Sequence, residues 1–226
     1  MSDVAFLERA GPTTTKRSIP DAIATRLRDV ILASLLLVVL GPLLLMIAVA
    51  VAVSSRGPVL FRQQRLGRDQ TPFSMLKFRT MVIDSDDRVH REFVANMFNG
   101  ADADPGENSI FKLTEDERIT GVGRILRRLS VDELPQLVNV LFGQMSLIGP
   151  RPALPWEVEL FEPRHLARFQ VKPGLTGLWQ VRGRSRLSMP QALELDVEYV
   201  RRRSFWLDLG ILFRTIPVVL SGRGAS

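Results

Sequence analysis

The chain has 226 residues, a formal net charge of +6 and no cysteine, so disulfides and thiolate metal sites are excluded and a reducing compartment is the natural setting. Its two histidines, His90 and His165, are too far apart in sequence to read as a metal pair. The arginine-rich charge excess suits an anionic membrane surface or a phosphorylated substrate; aromatic residues accompany basic ones only near Arg201–Trp206, which disfavours nucleic acid.

Residues 1–20 are polar, with Gly, Pro and a threonine run, and read as a flexible tail. From Val30 to Val53 follow 24 uncharged, mostly aliphatic residues, with Gly41-Pro42 at their midpoint. About 20 apolar residues cross a bilayer core, so one reading is a single span kinked at proline. The other is a re-entrant helix: proline removes a donor and clashes with the preceding turn, and each arm of about a dozen residues is only roughly 18 Å long. Arg26 and Arg28 precede the run and Arg56 and Arg62 follow it, so the positive-inside tendency favours the cytoplasmic face at both ends. The run is too long for a cleaved signal peptide, and no small-residue cleavage pattern follows.

About 170 residues remain, enough for one domain with its own core. Alternating apolar and polar residues over 59–83 predict short strands with a turn near Gly67-Arg68-Asp69. The polar, acid-rich stretch 84–117 suggests a helix near 85–98 and a long loop. Helical periodicity returns at Arg124–Leu129, at Leu134–Phe142 and over 189–203, between Gly/Pro-punctuated segments. Leu207–Leu220 is apolar but carries Asp208 and Arg214, which argues against a second span. Beside Arg201–Trp206 it fits a helix in the membrane interface or one packed on the domain core. The fold class is therefore α+β and mainly helical, with short strands.

Chemistry concentrates between Lys112 and Pro152. Gly121-Val122-Gly123 lacks the third glycine of a dinucleotide fingerprint, and no phosphate-binding GxxxxGK[ST] loop occurs. Ser130-Val131-Asp132-Glu133 fits a helix capping box. Pro135 opposes that register, because proline is best placed at the first helical position; Leu134 would then be the cap and both carboxylates would precede the helix. There a helix N-terminus favours phosphate, and Arg127 and Arg128 are close in sequence. Adjacent carboxylates among arginines suit phosphoryl transfer, one acting as nucleophile while Mg²⁺ takes oxygen ligands and arginine forks hold phosphate. Capping and catalysis both remain open on spacing alone.

Residues 126–152, LRRLSVDELPQLVNVLFGQMSLIGPRP, resemble the signature of the bacterial sugar transferase family, monotopic phosphoglycosyl transferases that load a sugar-1-phosphate onto polyprenol phosphate. Further family elements occur in order: Arg28-Asp29, FRQQRLG at 61–67, KFRTM at 77–81, VKPGLTGLWQ at 171–180, Gly183-Arg184 and Asp196. The resemblance covers residues 23 to about 220.

It implies a monotopic membrane protein, with a re-entrant helix-break-helix over 21–56 broken at Gly41 and Pro42. A small cytosolic catalytic domain with short strands would follow over 57–226, ending in an interfacial helix. Many relatives have Ser-Pro at the break, so Gly41 leaves the bend without a hydroxyl to support it. The resemblance makes Asp132 the nucleophile and Glu133 its metal-binding or proton-handling partner, with Mg²⁺ at Asp132 and Glu133. Lys77, Arg127, Arg151 and Arg184 would bind substrate, Asp196 would orient one of these four basic groups, and Arg28 with Asp29 would dock the membrane helix. The implied partners are a UDP-sugar, polyprenol (undecaprenyl) phosphate and inner-leaflet lipids, with a homodimer admissible and nucleic acid not expected. The implied location is the cytoplasmic face of the bacterial inner membrane, and the implied step opens a cell-surface glycan or exopolysaccharide pathway. The competing reading is a membrane-anchored basic binding protein without catalysis; the single apolar run argues against a polytopic enzyme.

Overall fold

The computed structural model describes residues 19–82, 118–183 and 187–220. The helix expected near 85–98, the rest of the acidic stretch from 83 to 117, and Arg184 lie outside the described residues.

One helix, α1 (Ile19–Ser54), takes up the whole apolar run and continues through Pro42. The two arms expected on either side of Gly41 and Pro42 belong to one helical element. Proline removes a single N–H bond, the one that residue 42 would make to Val38, and the bonds on either side remain available. By length and composition α1 could cross a membrane. Yet both of its ends pack on the same body. Near the start, Arg26 donates to the carbonyls of Val140 and Leu141 at 2.6 Å each, and Ala33 enters the main core. Near the end, Ile47 and Val51 pack with Phe78 and Leu126, and the Arg79 guanidinium donates to the Ser55 carbonyl at 2.7 Å. Val38, Val39, Leu45 and Met46, around the middle, are exposed.

The expected strands at 59–83 form an antiparallel hairpin of β1 (Leu60–Leu66) and β2 (Pro72–Phe78), joined by a 3₁₀ turn at Arg68–Gln70. Its register sets Phe61 opposite Lys77, Gln63 opposite Met75 and Arg65 opposite Phe73. Directly opposed residues share a face and the side-chain period is two, so Gln63, Arg65 and Lys77 stand in the same layer as buried Phe73 and Met75. Met81 and Ile119 form an isolated antiparallel bridge.

Helix α2 (Gly121–Arg128) starts at Thr120, whose hydroxyl accepts from the Gly123 N–H at 2.9 Å. A 3₁₀ turn at Val131–Glu133 leads to α3 (Gln136–Leu141). Strand β3 (Ser146–Ile148) then pairs in parallel with β4 (Gly174–Thr176), the two connected through 3₁₀ turns at Pro155–Leu160 and Pro163–Gln170. Gly149 and Gly174 meet backbone to backbone: a Cβ on Gly174 would stand 2.0 Å from the Gly149 nitrogen. The two glycines let the segment after β3 and the start of β4 run this close together.

Three helices complete the chain: α4 (Leu178–Arg182), α5 (Met189–Arg202) and α6 (Phe205–Leu220). At the head of α5 a capping box forms between Ser188 and Gln191. The core joins Leu137 and Val140 of α3, Met145, Val200 of α5 and Ile211 of α6. Of the two sequence readings of the C-terminal segment, the packing of a helix on the domain core is the one seen here. Asp208 and Ile211 are buried against the domain, while Phe205, Trp206, Phe213 and Ile216 are exposed.

Candidate active site

The capping box expected at Ser130 does not form. Ser130 is left-handed (φ 56, ψ 20) and makes no side-chain cap bond. The chain instead turns tightly through Val131–Glu133, and Pro135 directly precedes the first residue of α3. That is one position earlier than the register with Pro135 inside the helix, but it leaves both carboxylates ahead of α3 as that reading required. The two acids have different surroundings. Glu133 is partly exposed and accepts from the Lys77 ammonium at 2.9 Å. Asp132 is buried, with 4% exposure.

Glu133 and Lys77 line an open cleft of about 260 Å³ together with Arg65, Arg151, Gly174 and Gln180. Among these lining groups three cations (Arg65, Lys77, Arg151) face one carboxylate. That surplus of positive charge suits a diphosphate. Lys77 reaches the cleft because it continues the inward row of Phe73 and Met75. Arg65 reaches it from β1, opposite Phe73 in the same layer.

The loop that presents Arg151 is held from both sides by buried arginines. Arg65 donates to the Pro152 carbonyl at 2.9 Å and Arg168 to the Arg151 carbonyl at 2.6 Å. Arg168 is in turn held by Asp196 at 2.6 Å and lies over the Phe161 ring, 5.2 Å from its centre. Burial first, and the nearby Arg151 charge second, push the Arg65 guanidinium down to about 9, still cationic at neutral pH. Burial pushes the Asp196 carboxyl up to about 6, against the pull of Arg168 and Arg151. Proline on each side of Arg151 and two charge-assisted clamps on the carbonyls leave this backbone little freedom.

Of the residues expected at the site, Glu133, Lys77 and Arg151 are brought together. Asp132 is their immediate neighbour in the turn but does not line the cleft. Arg127 is half-buried in the last turn of α2 and is not among the lining residues either. Asp196 holds Arg168, which is not one of the four basic groups named for it; Arg168 in turn donates to the Arg151 carbonyl. Arg28 and Asp29 pair at 2.9 Å, and the same guanidinium holds Asp208 of α6 at 2.9 Å. Asp29 also accepts from the Ser146 hydroxyl at 2.6 Å, and Tyr199 donates to Asp208 at 2.8 Å. This network ties α1 to β3, α5 and α6. Arg65, Arg168 and Asp208 were missed as functional residues. Hairpin register could have identified Arg65, and an acid inside an apolar helix was a signal for Asp208. Nothing local marked Arg168, whose partners lie 17 and 28 residues away.

Among the described residues no group of three or more His, Cys, Asp or Glu side chains could hold a metal ion. Two adjacent carboxylates, one of them engaged by lysine, suit Mg²⁺ only as an ion shared with substrate phosphates and water, which is its usual mode. The residues fit the ion in that limited sense.

Comparison with known proteins agrees with the cleft chemistry. The family described as "Bacterial sugar transferase" matches residues 20–222. The chain is 40% identical over 203 residues to the exopolysaccharide production protein ExoY of Rhizobium meliloti, covering 90% of this chain and 88% of that protein. It is 42% identical over 204 residues to the UDP-glucose:undecaprenyl-phosphate glucose-1-phosphate transferase of Caulobacter vibrioides, covering 87% and 69%. The protein of that name in Escherichia coli is 39% identical over 199 residues, which are 84% of this chain and 39% of the longer relative. With a match over nearly all of its described length, the chain belongs to the bacterial sugar transferase family and is a transferase enzyme.

Proposed function

We propose that the protein transfers a hexose-1-phosphate from a UDP-sugar to undecaprenyl phosphate at the cytoplasmic face of the bacterial inner membrane, opening an exopolysaccharide pathway. The observation that carries this reading is the cleft where Lys77, Arg65 and Arg151 face Glu133, next to Asp132. The donors and acceptor named for the relatives have the matching chemistry of diphosphate and phosphate anions. UDP-glucose is the first donor to assay, with UDP-galactose, named for the Erwinia amylovora relative, the second.

In this mechanism a carboxylate oxygen of Asp132 attacks the phosphorus bonded to the sugar. The bond from that phosphorus to the UMP oxygen breaks, UMP leaves, and a phosphosugar-aspartyl intermediate remains. A phosphate oxygen of the polyprenol carrier then attacks the same phosphorus, breaks the acyl-phosphate bond and restores the carboxylate. Splitting one transfer between two anions into two steps lowers each barrier. Because Asp132 is almost covered, the Val131–Glu133 turn has to bring it toward the cleft when donor binds. Glu133, with Asp132, would hold Mg²⁺, which supplies neutralisation of the diphosphate charge. Arg151 and Lys77 bind and orient the phosphates, while Arg65 supports the Arg151 loop.

The re-entrant reading of α1 is supported by the attachment of both its ends to one body, with exposed apolar residues between. In a straight 36-residue helix the ends would be roughly 54 Å apart. A bend at Pro42 would let the apolar middle dip into one leaflet while residues 57–226 remain on the side where water-soluble donor and lipid carrier meet. The exposed aromatic side of α6 would rest in the same interface.

The test is UMP release from a panel of UDP-sugars with polyprenol phosphate and Mg²⁺, beside trapping of sugar label on the protein. Wild type should release UMP and carry label before acceptor is added. Asp132→Asn should do neither; normal turnover by that variant would reject Asp132 as nucleophile. The same panel with no release from any donor would reject a UDP-sugar as the donor.

A further inference from the structure

The loop at the end of α3 gathers positive charge that the transfer chemistry does not use. Gly143, at φ +76, follows α3, and a Cβ there would lie 3.3 Å from the Lys172 ammonium and 3.4 Å from an Arg26 guanidinium nitrogen. The two cationic groups are therefore within about 7 Å of each other, although one comes from α1 and the other from the segment before β4. Among the described residues no carboxylate is within ion-pair distance of Lys172. Burial first, then the charges of Arg26 and Arg68, lower the affinity of Lys172 for its proton. Arg26 has a structural duty, since it caps the final carbonyls of α3. Lys172 has none of that kind; Asp29 is the one opposing charge that acts on it, and it makes no ion pair with Lys172. Two cations held this close favour an anion between them.

The position of the cluster identifies the anion. Arg26 precedes Val30, where the uncharged run begins, by four residues, or roughly 6 Å along a helix. Ile23 and Leu27 are exposed on the same stretch of α1, and Phe142, the residue before Gly143, is 77% exposed. An exposed aromatic ring beside paired cations at the foot of an apolar helix is the pattern of a membrane headgroup contact.

We propose that Lys172 and Arg26, flanked by Phe142 at Gly143, bind the phosphate of an anionic phospholipid in the leaflet that receives α1. The site rests on the membrane reading of α1 but not on the transfer chemistry. Its occupant would fix the depth of the domain below the bilayer.

The test uses the full chain in nanodiscs of phosphatidylcholine with and without phosphatidylglycerol, in the absence of UDP-sugar. Lipid retained after extraction is read by native mass spectrometry, and the melting temperature is followed in parallel. Wild type should retain phosphatidylglycerol over phosphatidylcholine and melt higher when it is present. Lys172→Glu should lower that preference by roughly fivefold or more, the effect of about one surface charge, and Lys172→Arg should keep it. Equal retention of the two lipids by wild type, or an unchanged preference in a folded Lys172→Glu, overturns the proposal. Displacement of the retained lipid by equimolar polyprenol phosphate, weakened in Lys172→Glu, would assign the site to the carrier and overturn the phospholipid. Since no donor is present, loss of the lipid preference and loss of Asp132 chemistry are read separately.

Discussion

Lys77 and Asp196 show how a single side chain takes its role from its neighbours. Lys77→Gln removes the cation facing Glu133 and one of three from the cleft. A hydrogen bond to a charged group contributes about 1.5–3 kcal/mol, so steady-state assays should show the donor KM rising roughly tenfold. For Asp196, burial raises the folded pKa from 3.8 to about 6. Between those values the folded protein holds a proton that the unfolded chain has released, so stability from this site is complete below 3.8 and is lost as pH rises through about 6. Melting curves across that interval should show this decline, of up to about 3 kcal/mol, and Asp196→Asn should flatten it. Ser130 is a third case, because its left-handed backbone disfavours a branched residue. Ser130→Val should cost about 1–2 kcal/mol in thermal unfolding, whereas Ser130→Gly should be close to neutral.

At the scale of elements, α1 is docked by charge as well as by apolar contact. Arg28 sits between Asp29 and the fully buried Asp208, with Ser146 and Tyr199 completing their bonds. Removing one partner of a buried ionic set leaves uncompensated charge and costs about 3–5 kcal/mol. Arg28→Met should therefore lower the yield of monodisperse, detergent-extracted protein and its melting temperature before any effect on chemistry can be read. Arg28→Met combined with Asp208→Leu should recover part of the loss, because no lone charge remains at Asp208. The same reasoning explains the dual character of α6. Its acid and Ile211 are buried against the domain, and its aromatic residues remain exposed.

For the whole molecule, the decisive quantity is the path of α1 relative to one bilayer. The chain has no native cysteine, so single cysteines at Thr25 and Arg56 can report topology directly. Both should react with impermeant maleimide from the cytoplasmic side only; reaction of Thr25→Cys solely from the periplasm would make α1 a span. Pro42→Ala should restore the missing backbone bond to Val38, straighten α1 and lower activity while the protein stays in the membrane fraction.

Much of this architecture was legible in the chain because it depends on local rules. An uncharged run marks the long apolar helix α1, period-two alternation marks the hairpin, and proline beside two acids marks a turn ahead of α3. The string around Asp132-Glu133 marked the family. What folding alone settled were contacts between segments distant in sequence: Lys77 against Glu133, Arg168 behind Arg151, and Arg28 beneath Asp208. It also settled that Asp132 is covered while Glu133 is open, that Arg127 stays out of the cleft, and that both ends of α1 meet one body. Local patterns bias backbone dihedrals and the face a residue presents, but burial and ion pairing depend on which remote groups arrive there, and only the packed chain brings them together.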